Sequence, residues 1–241
     1  MPNRASKEVV LKDRPAAEGS LAEHPFCSLC DSAGGRAAGD VACPSGVLRI
    51  PLRAGVRLFE RNSTGDVVYV LHSGVVKETM PGPEGSDCIV RLASRNHVVG
   101  LCALLGVPHR HSAYVMHPGM ACRIPVARLQ RLRATDPGVV ERLQHDWQQA
   151  VDDADRILAD LGQGSARARL ARALLYLREV VGPDEPLHLR RSDLAELLAI
   201  VPVSVARLLG EFRRDGLIEE RQRRCIRLDT ARLAEIAAGQ G

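Results

Sequence analysis

Cysteine is the residue type through which this chain could do the most chemistry. Its 241 residues include seven cysteines, a high number for a chain of this size. Reducing compartments disfavour structural disulfides, so a group of cysteines in an intracellular chain indicates metal binding or redox chemistry. Cys27, Cys30 and Cys43 lie in residues 1–45, a polar stretch rich in Gly, Ala and Ser with no helical or strand period. Such a stretch needs something to order it, and a bound metal could do so.

A second candidate site is a pair of short helices near the C-terminus. Ser192 is a good N-cap for a first helix that ends near Leu198. A second helix follows Pro202, which suits a first turn, and ends before Gly216, which suits a C-terminal cap. Two short helices joined by about three residues form a helix-turn-helix. A helical interaction domain with a solvated arginine face is the alternative.

The second of these helices carries the residues that could read DNA. A recognition helix places side chains from its first turns in the major groove and basic side chains near phosphates. Val203, Ser204 and Arg207 share one face, and Arg207 can pair with guanine O6 and N7, a contact worth ~1–3 kcal/mol of discrimination. The candidate phosphate contacts are Arg190, Arg191, Arg213 and Arg214.

Four segments position these residues: 1–45, 46–135, 136–161 and 165–241. The second segment has short runs rich in β-branched residues between turn signals, which predict a small antiparallel barrel or jelly roll. The third predicts one long helix that begins at Asp136-Pro137. The fourth predicts helices and a hairpin wing with its tip near Gln222-Arg223. The expected fold class is α+β.

The long helix carries a narrow apolar seam at three-or-four spacing, flanked by Gln, Asp and Arg. A narrow seam on a long helix favours a coiled-coil dimer, and packing against the chain's own barrel is the alternative. The expected dimer contacts are Leu143, Trp147, Val151, Ala154, Leu158 and Leu161.

Composition excludes several classes of function. Apolar residues make up 45% and charged residues 26%, as in globular domains. There is no bilayer-spanning apolar run and no secretory signal, which predicts a cytoplasmic protein without a membrane partner. Aromatic residues are only 3%, which argues against a base-stacking single-strand binder. Thirty arginines against three lysines supply guanidinium forks for phosphates and guanine edges. Without a catalytic triad, an HExxH or a phosphate-binding glycine loop, we expect no enzyme.

From about Gly46 to Ala237 the chain resembles the CRP/FNR family of transcriptional regulators. The resemblance rests on LFERNSTGDVVYVLHSGVVK in the β segment and SDLAELLAIVPVSVARLLGEFRRDGLIE near the C-terminus. It implies a β-barrel sensor domain, a dimerisation helix and a winged helix-turn-helix. It also implies a homodimer that binds an inverted repeat in double-stranded DNA and works with RNA polymerase. A regulatory subunit of an enzyme that binds no DNA is the rival.

The family's recognition helix usually carries Glu, two residues, Ser or Gly, and then Arg. The matching positions here are Val203, Ala206 and Arg207. Val cannot accept a hydrogen bond from a cytosine amino group but can contact a thymine methyl. The chain is therefore similar to the branch that prefers a GTA-type half-site over a TGA-type one.

The family's cyclic AMP binders hold the phosphate with a Gly-Glu pair and an Arg-Ser pair. The matching places here are Gly100-Leu101 and His111-Ser112. Leu cannot bond a ribose hydroxyl, and a neutral His replaces an Arg fork poorly. We therefore do not expect a cyclic nucleotide ligand.

The cysteines resemble those of the FNR branch, whose members bind a [4Fe–4S] cluster. The resemblance implies Cys27, Cys30, Cys43 and Cys122 as the four ligands, with oxygen, redox change or nitric oxide as the signal. Two features depart from the FNR pattern. The loop before Cys43 is longer than usual, and Ala154 stands where the oxygen sensor has an Asp on its dimer seam, which favours a dimer that does not depend on the cluster.

Other readings of the same residues stay open. The thiolates could form a zinc site or a thiol switch. Cys102 or Cys88 could replace the barrel cysteine as fourth ligand. A haem on three histidines near a barrel turn is a further rival: His109, His111 and His117.

Overall fold

The computed structural model describes residues 47–82, 85–182, 186–221 and 225–239. An antiparallel sheet forms the N-terminal part, and six helices with a small second sheet form the remainder. The predicted α+β class is confirmed. Among the described helices, none is long and apolar enough to cross a bilayer.

The N-terminal part, called the β domain below, is a six-stranded jelly-roll-like sheet and not a closed barrel. Strand order is β1-β6-β3-β4, with β2 paired to β6 and β5 to β3, all antiparallel. The strands are β1 (Leu48–Leu52), β2 (Arg57–Phe59), β3 (Val67–Pro81), β4 (Asp87–Ala93), β5 (Val98–Val99) and β6 (Ser112–Pro125). A short 3₁₀ turn, Leu101–Leu105, follows β5.

Two sequence signals that resemble turns, HSG and HPG, are bends inside the long strands β3 and β6. Gly74 has φ +84°, and the pairing register shifts on both sides of it. A Cβ on Gly119 would lie 2.1 Å from the carbonyl oxygen of Ser73, so only glycine allows the two bends to meet. The short strands that the sequence predicts for this segment are therefore fewer and longer in the structure.

Successive residues of β3 pack alternately into two apolar clusters, because the side chains of a strand point alternately to its two faces. Tyr69 and Leu71 pack into the interior of the sheet. Val68 and Val70 face the other side, where they pack beneath the helices that follow β6. The β domain is thus buried on both faces along the first half of β3.

Six helices follow β6: α1 (Val126–Thr135), α2 (Gly138–Gly162), α3 (Ala166–Val181), α4 (Arg191–Leu198), α5 (Pro202–Arg214) and α6 (Thr230–Ala237). The small sheet has the order β7-β9-β8 and comprises β7 (Leu187–His188), β8 (Ile218–Arg221) and β9 (Cys225–Leu228). This is the winged helix-turn-helix expected from the sequence. The wing tip at Gln222-Arg223 lies outside the described residues.

The long helix α2 begins two residues after the predicted start. Pro137 is its N-cap, and Asp136 Oδ1 accepts a hydrogen bond of 2.9 Å from the Gly138 amide. The carboxylate thus satisfies one of the free N–H groups of the first turn. The helix ends at Gly162, one residue beyond the prediction.

The largest apolar cluster runs through both parts of the molecule. It joins Val75, Ile89 and Leu92 of the β domain to the end of α2 and to the core of the helix-turn-helix. The C-terminal helices therefore pack directly on the outer face of the sheet.

Candidate nucleic-acid interface and cysteine site

The turn between α4 and α5 is built from local backbone signals. Ala199 adopts the left-handed conformation, φ 49°, and its amide bonds the Ala195 carbonyl. Pro202 occupies the first turn of α5, as predicted. Arg169 of α3 donates one hydrogen bond to the Leu161 carbonyl, at 2.6 Å, and another to the Leu198 carbonyl. One guanidinium thus caps the ends of both α2 and α4.

The prediction that Ser192 caps the first helix is wrong. Helix α4 begins at Arg191, with Arg190 as an extended N-cap residue that provides no side-chain cap. Ser192 therefore lies inside the first turn. The acidic residue of that turn, Asp193, is buried and bound to a lysine of the β domain.

Helix α5 has a buried face and an exposed face. Its buried residues are Val205, Leu208, Leu209 and Phe212. On the other side Val203 is 78% exposed and the Arg207 side chain 65% exposed, while Ser204 is half-buried. The sequence-predicted reading face is therefore open to a partner.

Charges on α5 hold Arg207 at the surface. Its Nη1 lies 2.6 Å from Glu211 Oε1, an i,i+4 ion pair. Glu211 also lies 3.9 Å from Arg167 of α3, which bonds Asp215 at 2.7 Å. Arg167 can therefore compensate Glu211 when Arg207 turns to another acceptor.

All four expected phosphate contacts are exposed: Arg190, Arg191, Arg213 and Arg214. Arg190 also has a neighbour in the β domain. Its guanidinium nitrogens lie 3.3 Å from the point where a Cβ on Gly55 would stand, in the loop between β1 and β2. Arg190 thus packs against the β domain.

Helix α2 presents two apolar stripes. Leu143 and Leu161, both expected at a dimer interface, are buried in the chain's own clusters. They lie on the side of the helix that also buries Ala150 and Ile157. The exposed stripe retains the other expected contacts, with Trp147 44%, Val151 41% and Leu158 73% exposed and Ala154 half-buried. Packing against the chain's own core therefore holds for the buried stripe, and the dimer interface stays a prediction for the exposed stripe.

Cys122 is the one expected metal ligand that the described residues include. Its side chain on β6 is 4% exposed and packs with Val47, Val70 and Leu143. His72 Nε2 lies 3.1 Å from Cys122 Sγ. Cys27, Cys30 and Cys43 lie outside the described residues.

The alternative fourth ligands occupy other places. Cys88 pairs with Met80 on β3, ten residues along that strand from Val70, the partner of Cys122. Cys102 lies half-buried in the 3₁₀ turn.

The three histidines of the haem alternative have separate partners. His109 stacks on Phe59 with ring centroids 3.9 Å apart, and burial lowers its pKa. His111 lies 3.4 Å from Glu78, and His117 Nε2 donates to the Pro186 carbonyl at 2.8 Å. Within the described part of the chain, no three His, Cys, Asp or Glu side chains are grouped to hold a metal.

The place matching the family's phosphate cassette has an apolar residue, Leu101, beside Gly100. Beside the other matching place, His111, the strands bury a carboxylate that the sequence did not single out. Glu78 is 5% exposed, bonds Arg91 at 3.1 Å, and has a pKa raised by burial. A phosphate here would meet an arginine already paired with an acid, which favours the prediction that no cyclic nucleotide binds.

Two family models match the chain. A cyclic nucleotide-binding domain model matches residues 49–136, and a Crp-like helix-turn-helix domain model matches residues 168–236.

Curated relatives include electron transport regulator A of Shewanella oneidensis, 23% identical over 74% of each chain. The fumarate and nitrate reduction regulatory protein of Vibrio cholerae is 24% identical over 78% of this chain and 77% of its own. Transcriptional activator protein Anr of Pseudomonas protegens is 25% identical over 78% and 80%.

Solved structures share the fold. A CRP-family transcriptional regulator from Thermus thermophilus has a TM-score of 0.68 and 24% identity, and covers 78% of this chain and 96% of its own. FixK2 from Bradyrhizobium japonicum has the same TM-score and 20% identity, with 79% and 96% covered.

The two models together span about two thirds of the chain, in the order in which the β domain and the helix-turn-helix occur. The relatives are regulators of transcription and not enzymes. The chain therefore belongs to the CRP/FNR family of DNA-binding transcription regulators.

Proposed function

We propose that this regulator responds to oxygen, redox change or nitric oxide through a [4Fe–4S] cluster held by Cys27, Cys30, Cys43 and Cys122. The observation that carries the proposal is the placement of Cys122, a buried thiol beside the point where the N-terminal cysteine segment enters the sheet. When bound, such a cluster would supply sensitivity to oxidants.

The length of chain between Cys43 and Val47 allows Cys43 to reach Cys122. Val47, the first described residue, packs in the same apolar cluster as Cys122. Cys43 precedes Val47 by four residues, which span at most ~14 Å when extended. The third and fourth expected ligands are therefore within reach of one centre.

The surroundings of Cys122 suit a thiolate ligand. Metal-bound cysteine is deprotonated, and a nearby N–H donor stabilises its charge. With its Nε2 protonated, His72 donates to Cys122 Sγ across 3.1 Å. The low exposure of Cys122 shields the sulfur from water, so the donor set and burial fit an iron–sulfur group.

A change at Cys122 also has a route to the long helix. Leu129 of α1 and Val139 and Leu143 of α2 pack in the same cluster as this cysteine. Loss of a bound iron–sulfur cluster would therefore change the packing at the beginning of α2, whose exposed stripe is the proposed dimer surface. The names of relatives that regulate fumarate and nitrate reduction support a respiratory signal.

We further infer that the protein acts as a homodimer on an inverted repeat. Trp147, Val151, Ala154 and Leu158 supply the contact stripe on α2. Arg207 and Val203 would read the guanine and a thymine methyl of a GTA-type half-site. Contact with RNA polymerase follows from the family resemblance.

Anaerobic purification tests the cluster. We expect brown protein with a broad band near ~400 nm, and about four iron and four sulfide per chain that are lost in air. Cys122→Ala should remove the colour and the iron. Cys225→Ala should keep both, since Cys225 is a half-buried residue of the wing.

Three results would overturn the assignment. Colourless protein with zinc would replace the cluster by a zinc site, and colourless metal-free protein would move sensing to thiol chemistry. Brown Cys122→Ala protein would transfer the fourth ligand to another residue.

A further inference from the structure

A buried ion-pair cluster joins the β domain to the first helix of the helix-turn-helix. Lys77 on β3 donates to Asp193 Oδ1 at 2.8 Å and also to Glu196 Oε2, both on α4. The side chains of these residues are only 12%, 5% and 22% exposed, in that order. Three charges so far from water are tolerated because each has a partner of opposite sign.

The ion-pair cluster restricts the orientation of α4 more than the apolar contacts around it do. Val75, Ile89 and Leu92 of the sheet share one core with Leu194 and Leu197 of α4. Apolar contacts are non-directional and would tolerate a small rotation of α4 on the sheet. Hydrogen bonds from one ammonium to two carboxylates would not, because they weaken steeply with angle and distance.

Protonation equilibria agree with this geometry. Burial alone would lower the pKa of Lys77, but the hydrogen bonds and charges of Asp193 and Glu196 outweigh it and raise the pKa. Burial raises the pKa of Glu196, which the lysine opposes. Lys77 therefore keeps its charge in the interface.

The neighbouring residue on β3 points the opposite way. Glu78 faces the interior of the β domain, where it bonds Arg91 at 3.1 Å and lies 3.4 Å from His111. Successive side chains of a strand alternate between its faces. The buried carboxyl group of Glu78 and the ammonium group that holds α4 therefore belong to adjacent residues on opposite faces of β3.

The orientation of α4 also fixes the reading helix. Only three residues separate α4 from α5, and the two helices share the core that contains Leu208 and Phe212. Val203 and Arg207 remain exposed while the ion-pair cluster is formed. The arrangement therefore holds the reading face open.

We propose that Lys77, Asp193 and Glu196 form an interdomain latch that presets the orientation of the helix-turn-helix and thereby its affinity for the operator. This proposal does not depend on the iron–sulfur cluster. Preorganisation lowers the free-energy cost of ordering the domain when it binds DNA.

Two variants test the latch. Lys77→Met keeps the length of the aliphatic chain but leaves two buried carboxylates unpaired. A triple variant, Lys77→Met with Asp193→Asn and Glu196→Gln, removes every charge and keeps the side-chain shapes, so it stays folded where the single variant does not. Circular dichroism checks the fold, and Arg57→Met, which breaks an exposed ion pair with Glu60, is the matched control.

The first readout is affinity for an operator selected from random DNA. We expect the folded latch variants to raise Kd by about 2- to 30-fold, the range for residues that couple two sites. Arg57→Met should leave Kd unchanged. Lys77→Arg, which retains the charge, should recover part of the loss.

The second readout is a native thiol at the interface. Cys88 is half-buried on β4, and burial together with the charge of Glu196 raises its pKa. Glu196→Gln removes this charge but keeps the Lys77–Asp193 pair, so it is the reference for labelling. Opening of the interface in the triple variant should speed alkylation of Cys88 beyond the rate in Glu196→Gln, followed by mass spectrometry of the labelled peptide. Wild-type operator affinity in the triple variant, with labelling of Cys88 no faster than in Glu196→Gln, would overturn the latch. Faster labelling with unchanged affinity would reduce it to a structural contact and overturn its role in DNA binding.

Discussion

Replacing Arg207 by alanine measures what one base contact contributes. The guanidinium gives up an exposed ion pair with Glu211, at 2.6 Å, before it can bind a base. An exposed pair of this kind contributes about 0.3–0.5 kcal/mol, whereas a bidentate contact with guanine contributes ~1–3 kcal/mol. The net contribution is therefore about 0.5–2.5 kcal/mol for each half-site.

An inverted repeat contains two half-sites, so the loss for a dimer is about 1–5 kcal/mol, at least about fivefold in Kd. Fluorescence anisotropy would measure it on a selected operator and on a duplex in which adenine replaces the contacted guanine in both half-sites. We expect Arg207→Ala to lose affinity on the first duplex and to match the wild type on the second.

Arg214→Ala supplies the control for a phosphate contact. It should weaken binding to both duplexes by one common factor and lower the salt dependence of Kd by about one unit of slope per contact. If Arg207→Ala behaved in the same way, with equal loss on both duplexes, the base-reading role would be refuted.

Three further changes test other parts of the molecule. Leu158→Glu places a charge on the exposed stripe of α2, so it should convert the dimer to monomer in sedimentation velocity. The control Gln149→Glu, which is also exposed on α2, should leave the dimer intact. A dimeric Leu158→Glu protein would exclude this stripe as the interface. Gly119→Ala should lower the free energy of unfolding in urea titrations by an amount at the upper end of about 1–3 kcal/mol, because its Cβ would stand 2.1 Å from a backbone oxygen. Gly162→Ala meets nothing within 4 Å and should be tolerated. Burial holds the pKa of His109 below 6.5, so its contribution to stability is present above about pH 6.5 and is lost as pH falls towards the folded-state value. The free energy of unfolding should therefore decline more steeply between about pH 6.5 and 5 in the wild type than in His109→Gln, and parallel curves would contradict the cause.

The helix-turn-helix was predictable because its signals are local. Pro202 begins α5, Gly216 follows its end with φ +69°, and apolar spacing marks the buried face. The long helix was predictable for the same reason. Ser192 was assigned a cap that it does not form, since a good capping residue in the sequence does not fix where the backbone enters the helix.

Local sequence patterns could not predict contacts between distant segments. Lys77 meets Asp193 across 116 residues, and neither residue stands out in its own segment. Leu143 and Leu161 were assigned to the dimer interface because the apolar pattern shows that a helix has an apolar face but not which partner covers it. The bends at Gly74 and Gly119 looked like turns because the bend needs the same residue as a turn.

The apolar cluster that runs from Val75 and Met116 to Phe212 has a consequence for how the chain unfolds. Because sheet and helix-turn-helix share one interior, neither can open without exposing the other's apolar surface. The chain should melt as a single cooperative unit in calorimetry, not as two independent ones. A helix-turn-helix transplanted from a relative would have to match this sheet surface as well as its DNA, which makes the two halves poor candidates for exchange.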